Sequence, residues 1–135
     1  VITMLNKESG LLGVNGKVSD MRDITANLDD PDIKLSFDMY VRRIKKYIGS
    51  YIALMDGVDA IVFTAGIGEN TPELRRDVLA SFNYIGLKID NDKNFNIPRG
   101  AFADITAEGS KVKVLVIPTD EEMVIAKQTK FLVEK

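Results

Sequence analysis

The most regular alternation of apolar and polar positions in the chain runs over residues 37–55. Apolar side chains recur there at intervals of three and four, the spacing that places residues on one face of an α-helix. They are Phe37, Tyr40, Val41, Ile44, Tyr47, Ile48, Tyr51, Ile52 and Met55. We predict a long amphipathic helix whose aromatic stripe packs against the core. The basic residues between them lie mostly on the other side and fit an anion-binding patch as well as a solvated face.

A second pattern predicts a strand that leads into a helix. Residues 60–64 form an apolar, partly β-branched run, as in a buried strand. Thr71 and Pro72 are residue types preferred at the N-cap and at the first position of a helix. We expect that helix over roughly residues 72–83.

Gly66 and Gly68 lie between this strand and this helix. Glycine permits positive φ and lets a flat or phosphorylated ligand reach the main chain, and the start of the next helix attracts anions. The junction is a candidate nucleotide site, although the pattern also fits a sharp turn without a ligand. It lacks the third glycine of the dinucleotide fingerprint and the Lys-Ser/Thr of a P-loop, which disfavours Rossmann dehydrogenases and Walker-type NTPases.

The first segment of the chain gives weaker patterns. Residues 1–9 fit the last turns of a helix closed by Gly10. They contain no initiator Met at position 1 and no helix cap, so we expect Val1 to be an internal position of a longer chain. A glycine-rich turn should follow, and then a short helix with Ser19 as its N-cap.

The second half of the chain is predicted to contain two strands and a final helix. Residues 91–94 fit a turn, and residues 102–105 fit an edge strand. Residues 112–117 fit a strand that is buried at least towards its end. Thr119-x-x-Glu122 is the pattern of a capping box at the start of a C-terminal helix. Together these patterns predict an α/β domain.

Composition restricts the class of protein. The 135 residues are 45% hydrophobic and 28% charged, enough for one compact unit and too few for two ordinary domains. Lys and Arg number 18 against 20 Asp and Glu, a net charge of −2, without the basic block typical of nucleic-acid binding. No leader pattern and no apolar run of membrane-spanning length is present. We therefore expect a cytoplasmic protein with neither a nucleic-acid nor a membrane partner.

The chain has no histidine and no cysteine. This removes disulfides, thiolate chemistry and the commonest general base and metal ligand. A hydrolytic triad or a zinc site is therefore poorly supported. Phosphoryl transfer is more compatible with this composition, because it depends mainly on positioning, Mg²⁺ and cationic groups.

Four segments, taken in order, resemble the C-terminal portion of the acetate kinase family. They are residues 6–13, 19–24, 63–73 and 118–122. The resemblance implies a ribonuclease H-like (actin-like ATPase) domain, an α/β fold with a mixed sheet flanked by helices. Residues 1–135 would form the C-terminal nucleotide-binding domain of a longer two-domain kinase, incomplete at its N-terminus. The implied reaction is the reversible, Mg²⁺-dependent transfer of the γ-phosphoryl group of ATP to acetate, which gives acetyl phosphate and ADP.

The resemblance also implies which residues meet the nucleotide and the metal. Two segments would contact ATP or ADP through Asp20, Met21, Arg22, Gly66, Ile67, Gly68, Glu69 and Asn70. Glu121 would match the acidic residue that helps to place Mg²⁺ in the family. The predicted capping box would occupy Glu122 and leave Glu121 free for that role. Without the resemblance, Arg22 also fits an exposed helix cation, and Asp20 and Glu121 fit acids at helix starts.

The family's catalytic residues match no position of this chain, so the polypeptide alone is expected to be inactive. Acetate and acetyl phosphate would bind through a part N-terminal to Val1, and a homodimer would pair through this domain. Two alternatives stay open. One is a propionate or butyrate kinase of the same family, and the other is, in isolation, a non-catalytic module for nucleotide binding or dimerisation.

Overall fold

The computed structural model describes residues 1–134, which contain eight α-helices and three strands. The elements are α1 (Ile2–Lys7), α2 (Gly10–Asn15), α3 (Met21–Ala26), α4 (Pro31–Leu54), β1 (Ala60–Phe63), α5 (Ala65–Asn70), α6 (Pro72–Leu79), α7 (Asn91–Phe95), β2 (Ala103–Asp104), β3 (Lys113–Val116) and α8 (Glu121–Val133). A 3₁₀ turn, Asn83–Ile85, follows α6. Within residues 1–134 no helix is both long and apolar enough to cross a membrane.

The three strands form one mixed sheet in the order β1-β3-β2. β1 runs parallel to β3, with Ile61 opposite Val114 and Phe63 opposite Val116. β2 is antiparallel to β3 and lies at an edge, as predicted for residues 102–105. The mixed sheet with helices packed against it confirms the predicted fold class.

The core is one cluster that combines apolar side chains of the sheet with those of α4 and α6. Alternate residues of β1 and β3 are buried, as expected for strands that present one face to the core. The helices contribute the apolar side chains of Ile33, Phe37, Val41 and Ile52 from α4, and of Leu74, Val78 and Leu79 from α6. This packing fixes β1 and the start of α6, the two elements that flank residues 65–70.

Helix α4 confirms the predicted amphipathic helix and begins earlier than expected. Asp30 is its N-cap and accepts hydrogen bonds from two main-chain N–H groups, with Pro31 at the first helical position, a combination that stabilises a helix start. In the last part of the predicted apolar stripe Ile52 is buried, whereas Tyr47, Tyr51 and Met55 are exposed. The stripe is therefore only partly used for core packing within residues 1–134.

Two predicted helix caps are shifted by one residue. Asp20, not Ser19, caps α3, and its Oδ1 accepts from the main-chain N–H two residues further on at 2.8 Å. Asp120, not Thr119, caps α8, and its Oδ1 accepts from the N–H three residues further on at 2.9 Å. The predicted capping box is therefore wrong. Aspartate caps helices at least as well as Ser or Thr, so in both places the neighbouring acid takes the position.

Two segments predicted as turns are short helices. The glycine-rich stretch after residue 10 forms most of α2, and residues 91–94 lie in α7. The side chain of Asp90 caps α7 by accepting from the N–H of Lys93. Asn and Asp favour both turns and the first turn of a helix, so composition alone did not separate the two structures. Helix α6 ends at Leu79, before the predicted boundary.

Candidate functional site

Residues 65–70, here called the glycine segment, form helix α5 rather than an open turn. The reversal after β1 occurs at Ala65, which has a φ of 59°. Neither Gly66 nor Gly68 has positive φ, so the expectation that glycine supplies this conformation is wrong. A non-glycine residue in the left-handed region is strained by roughly 1–2 kcal/mol. The chain turns one residue before the first glycine.

The two glycines serve different purposes. A Cβ placed on Gly68 would lie 3.4 Å from the carbonyl carbon of Phe63, whereas a Cβ on Gly66 would meet nothing within 4 Å. A Cβ on Gly68 would therefore be in ordinary van der Waals contact with the end of β1, and Gly66 leaves bare main chain on the open side. Asn70 reinforces this geometry, because its Nδ2 donates to the Gly66 carbonyl at 2.8 Å.

The glycine segment is joined to the start of α8 by the side chain of Glu69. Its Oε1 accepts from the Thr119 N–H at 2.9 Å and from the Thr119 hydroxyl at 3.1 Å. The two residues are 50 positions apart in the sequence. This link brings the predicted nucleotide segment beside the first turn of α8, where the exposed carboxylate of Glu121 lies.

The candidate carboxylate for Mg²⁺, that of Glu121, lies in the first turn of α8. Within residues 1–134 no group of three or more His, Cys, Asp and Glu side chains is arranged to hold a metal, so the protein alone offers no closed cage. Mg²⁺ commonly takes one or two carboxylates and completes its shell with phosphate oxygens and water. Glu121 can provide one oxygen ligand of that kind.

The other predicted nucleotide contacts lie at the start of α3. Nε and Nη2 of Arg22 donate to the two carboxylate oxygens of Asp20 at 3.0 and 2.6 Å. This pair, together with the Arg22 N–H, lowers the pKa of Asp20 to about 2. The Arg22 side chain is 90% exposed, whereas Met21 is buried in the core. Met21 can therefore offer a ligand its main chain, but not its side chain.

The structure does not join Arg22 to the glycine segment directly. In the part of the chain that the structure describes, the hydrogen bonds of the Arg22 guanidinium go to Asp20. Both regions are open to solvent, since Arg22, Gly66 and Ile67 are exposed. The two predicted nucleotide segments are thus accessible, and only the glycine segment is tied to the metal candidate.

Sequence reasoning missed Arg75. Its side chain is buried, with 1% of the residue exposed, and it donates to the main-chain carbonyls of Gly68 and Glu69 at 2.7 and 2.8 Å. Its position beside an exposed Arg76 gave no sign of burial. Pro72 was a weak sign that a side-chain donor is needed here, because proline has no N–H to donate to a carbonyl of the preceding turn.

Comparisons with known proteins agree on one family. Residues 1–127 match the Acetokinase family model. The chain is 53% identical over 137 residues to the acetate kinase of Streptococcus agalactiae, covering 100% of this chain and 34% of that protein. It is 50% identical over 133 residues to the acetate kinase of Enterococcus faecalis, covering 98% and 33%. The chain therefore spans about a third of the length of these curated relatives.

Solved structures give the same result. The crystal structure of Porphyromonas gingivalis acetate kinase matches with a TM-score of 0.85 at 41% identity, over 98% of this chain and 33% of that one. A propionate kinase from Francisella tularensis matches with a TM-score of 0.79 at 37% identity, over 93% and 32%.

Proposed function

The chain belongs to the acetokinase family, and from this we propose that it forms the nucleotide-binding part of a kinase that phosphorylates acetate. The reaction is the reversible, Mg²⁺-dependent transfer of the γ-phosphoryl group of ATP to acetate, which gives acetyl phosphate and ADP. Residues 1–135 act as the C-terminal nucleotide-binding domain of a longer two-domain enzyme, in keeping with the third of the relatives' length that they span. The actin-like ATPase fold expected from the resemblance is confirmed by the solved acetate kinase structure.

The observation that supports this proposal best is the Glu69–Thr119 link. It brings the glycine segment, with its exposed main chain at Gly66, next to Thr119, two residues before Glu121 in the first turn of α8. A nucleotide needs both features, because its phosphates approach bare main chain and its Mg²⁺ takes an oxygen ligand. Phosphoryl transfer needs few other groups from the protein beyond positioning and cationic stabilisation.

The predicted site residues of this chain have binding or orienting roles in the proposal. The glycine segment, with Gly66, Ile67, Gly68, Glu69 and Asn70, receives the nucleotide along its exposed face. Bound Mg²⁺ would neutralise charge on the phosphate oxygens. A carboxylate substrate such as acetate is already ionised near neutral pH, so no side chain has to remove its proton.

The tripeptide at the start of α3 would complete the adenosine pocket. Arg22 has a planar guanidinium that can stack on a base, and Asp20 holds it through two hydrogen bonds. Met21 contributes its main chain. These residues bind the nucleoside and leave the chemistry to groups outside this chain.

A propionate kinase is the second candidate, favoured by the likeness to the Francisella tularensis enzyme. The difference between acetate and propionate is one methylene, which is worth about 1–3 kcal/mol in an apolar pocket. Rates with acetate, propionate and butyrate, measured with the full-length protein that carries this chain, would rank the candidates. We expect acetate to have the highest kcat/KM.

The glycine segment is tested with two matched glycine substitutions in that full-length protein. Gly66 and Gly49 are both helical, and a Cβ on either meets nothing within 4 Å, so Gly66→Val and Gly49→Val should both fold. We expect Gly66→Val to weaken MgADP binding by roughly tenfold or more, because the side chain blocks approach to the main chain. Calorimetric titration measures the affinity. Equal affinity in the two variants would contradict the assignment of the glycine segment.

A further inference from the structure

We propose that Arg75 is the positioning residue of the nucleotide site, because its buried guanidinium holds the main chain of the glycine segment in the conformation that receives the phosphates. This inference rests on the proposed nucleotide-binding function and adds a residue to it that does not touch the ligand. Arg75 acts through Gly68 and Glu69, whose carbonyls accept from its Nη1 at 2.7 and 2.8 Å.

The chain geometry explains why these carbonyls need a side-chain donor. In a continuous α-helix the N–H of residue 72 would donate to the carbonyl of residue 68, but Pro72 has no N–H. The hydrogen bonds of helix α6 begin at Thr71, the residue before Pro72, whose carbonyl accepts from the Arg75 N–H at 3.2 Å. The last carbonyls of α5 are left to the Arg75 side chain, and a cation at a helix C-terminus is electrostatically favourable.

Arg75 is itself held from a third element. Its Nε donates to Asn94 Oδ1 at 2.7 Å and its Nη2 donates to the Asn94 carbonyl at 2.8 Å. Asn94 is buried in α7, and its Nδ2 donates to the Pro72 carbonyl at 3.0 Å. The fork of the guanidinium is therefore oriented before any ligand arrives, and it connects α7 to the glycine segment.

The charge of Arg75 has no carboxylate partner among residues 1–134, and all of its hydrogen-bond acceptors are neutral oxygens. Burial lowers the pKa of Arg75, while the field of Glu73 opposes this shift. An unpaired buried cation is costly to desolvate, and an apolar residue of similar size would avoid that cost. What an apolar residue cannot supply is a set of directed N–H groups on two successive carbonyls.

Arg75 also affects the side of the proposed site where the metal would bind. Fixing the Glu69 main chain also fixes the origin of the Glu69 side chain, which carries the bonds to Thr119. Arg75 therefore sets both the open main chain at Gly66 and the distance of the glycine segment from α8. Loss of the Arg75 hydrogen bonds should weaken nucleotide binding more than it weakens binding of the acyl substrate.

The test compares Arg75→Lys with Arg76→Lys in the full-length protein that carries this chain. Arg76 is the matched control, because it lies next in the same helix, is exposed, and pairs with Asp77 at 2.7 Å. Lysine keeps the charge and loses the fork, so Arg75→Lys should raise the Kd and the KM for MgADP roughly tenfold. The KM for acetyl phosphate should change less than twofold. Without nucleotide, amide hydrogen exchange in residues 65–70 should be faster in Arg75→Lys than in Arg76→Lys.

A second variant, Arg75→Gln, removes the buried charge and retains one NH₂ group for a carbonyl, and it should show the same pattern. Unchanged MgADP affinity and unchanged exchange in residues 65–70 would overturn the positioning role. Failure of both variants to fold would assign Arg75 to core stability and would also overturn it. If the wild-type protein bound no MgADP, the proposed function itself would fail, and the inference with it.

Discussion

The two segments predicted to contact nucleotide are built in opposite ways. The glycine segment is fixed by side chains from outside it, namely Arg75, which is itself bound to Asn94 across 19 positions, and Thr119, which is 50 positions from Glu69. The start of α3 is organised locally, by a pair between Asp20 and the 90% exposed Arg22. Substitutions around the glycine segment should therefore change stability and binding together. Substitutions at Arg22 should change binding with little effect on the fold.

The largest expected effect comes from breaking the buried network under the glycine segment. Asn94→Ala removes the acceptor of Arg75 Nε and the donor to the Pro72 carbonyl. We expect it to lower the free energy of unfolding by about 2 kcal/mol, because buried polar groups lose their partners. Asn91→Ala, an exposed position of the same helix, is the control and should change it by less than about 0.5 kcal/mol. Urea unfolding measures both, and equal effects would contradict a special role for Asn94.

A smaller effect of opposite sign is expected at the reversal into the glycine segment. Ala65→Gly should raise the free energy of unfolding by about 1 kcal/mol, because glycine adopts positive φ without strain. Asp56, with a φ of 57°, offers the control Asp56→Gly. Its gain should be smaller, since Asp tolerates the left-handed region better than Ala. A loss of stability in Ala65→Gly would mean that Ala65 does not hold this conformation in solution.

The smallest effect concerns the locally organised segment and its pH dependence. The pKa of Asp20 is lowered from 3.8 to about 2, mainly by the side-chain hydrogen bond with Arg22. Since the folded-state pKa lies below the unfolded value, this stabilisation is present above about pH 4 and is lost as the pH falls towards 2. Arg22→Gln should move the titration of Asp20, followed by NMR, upward towards 3.8.

Asp104, whose pKa is also lowered to about 2 by Thr106 and Lys113, is the internal control for that titration. Its midpoint should not respond to Arg22→Gln. A wild-type Asp20 that titrated near 3.8 would show that the pair with Arg22 does not form in solution.

Elements with a local signature could be predicted from the sequence. The period of α4, the apolar runs of β1 and β3, and Thr71-Pro72 at the start of α6 all depend on residues close together in the chain. The predicted N-caps were wrong by one residue. Ser19 and Asp20 cap a helix equally well, and nothing in the local sequence chooses between them. The site residues were carried over from a family resemblance, and their contacts with nucleotide and Mg²⁺ stay predictions.

Features that join distant residues could not be predicted. Arg75 meets Asn94 across 19 positions, and Glu69 meets Thr119 across 50. Neither of these sequence separations produces a periodic pattern. In addition, arginine is almost never fully buried unless it is paired. The sequence pattern located the glycine segment but assigned its positive φ to the wrong residue. The left-handed conformation at the reversal is adopted by Ala65 rather than by a glycine.

Helix α8 is anchored at its first turn, and none of its residues from 121 to 133 is buried. Isolated helices of this length are only marginally populated in water. Wherever α8 is left uncovered, it should exchange between helix and coil within about a microsecond. Burial within residues 1–134 therefore offsets little of the entropy cost of ordering α8.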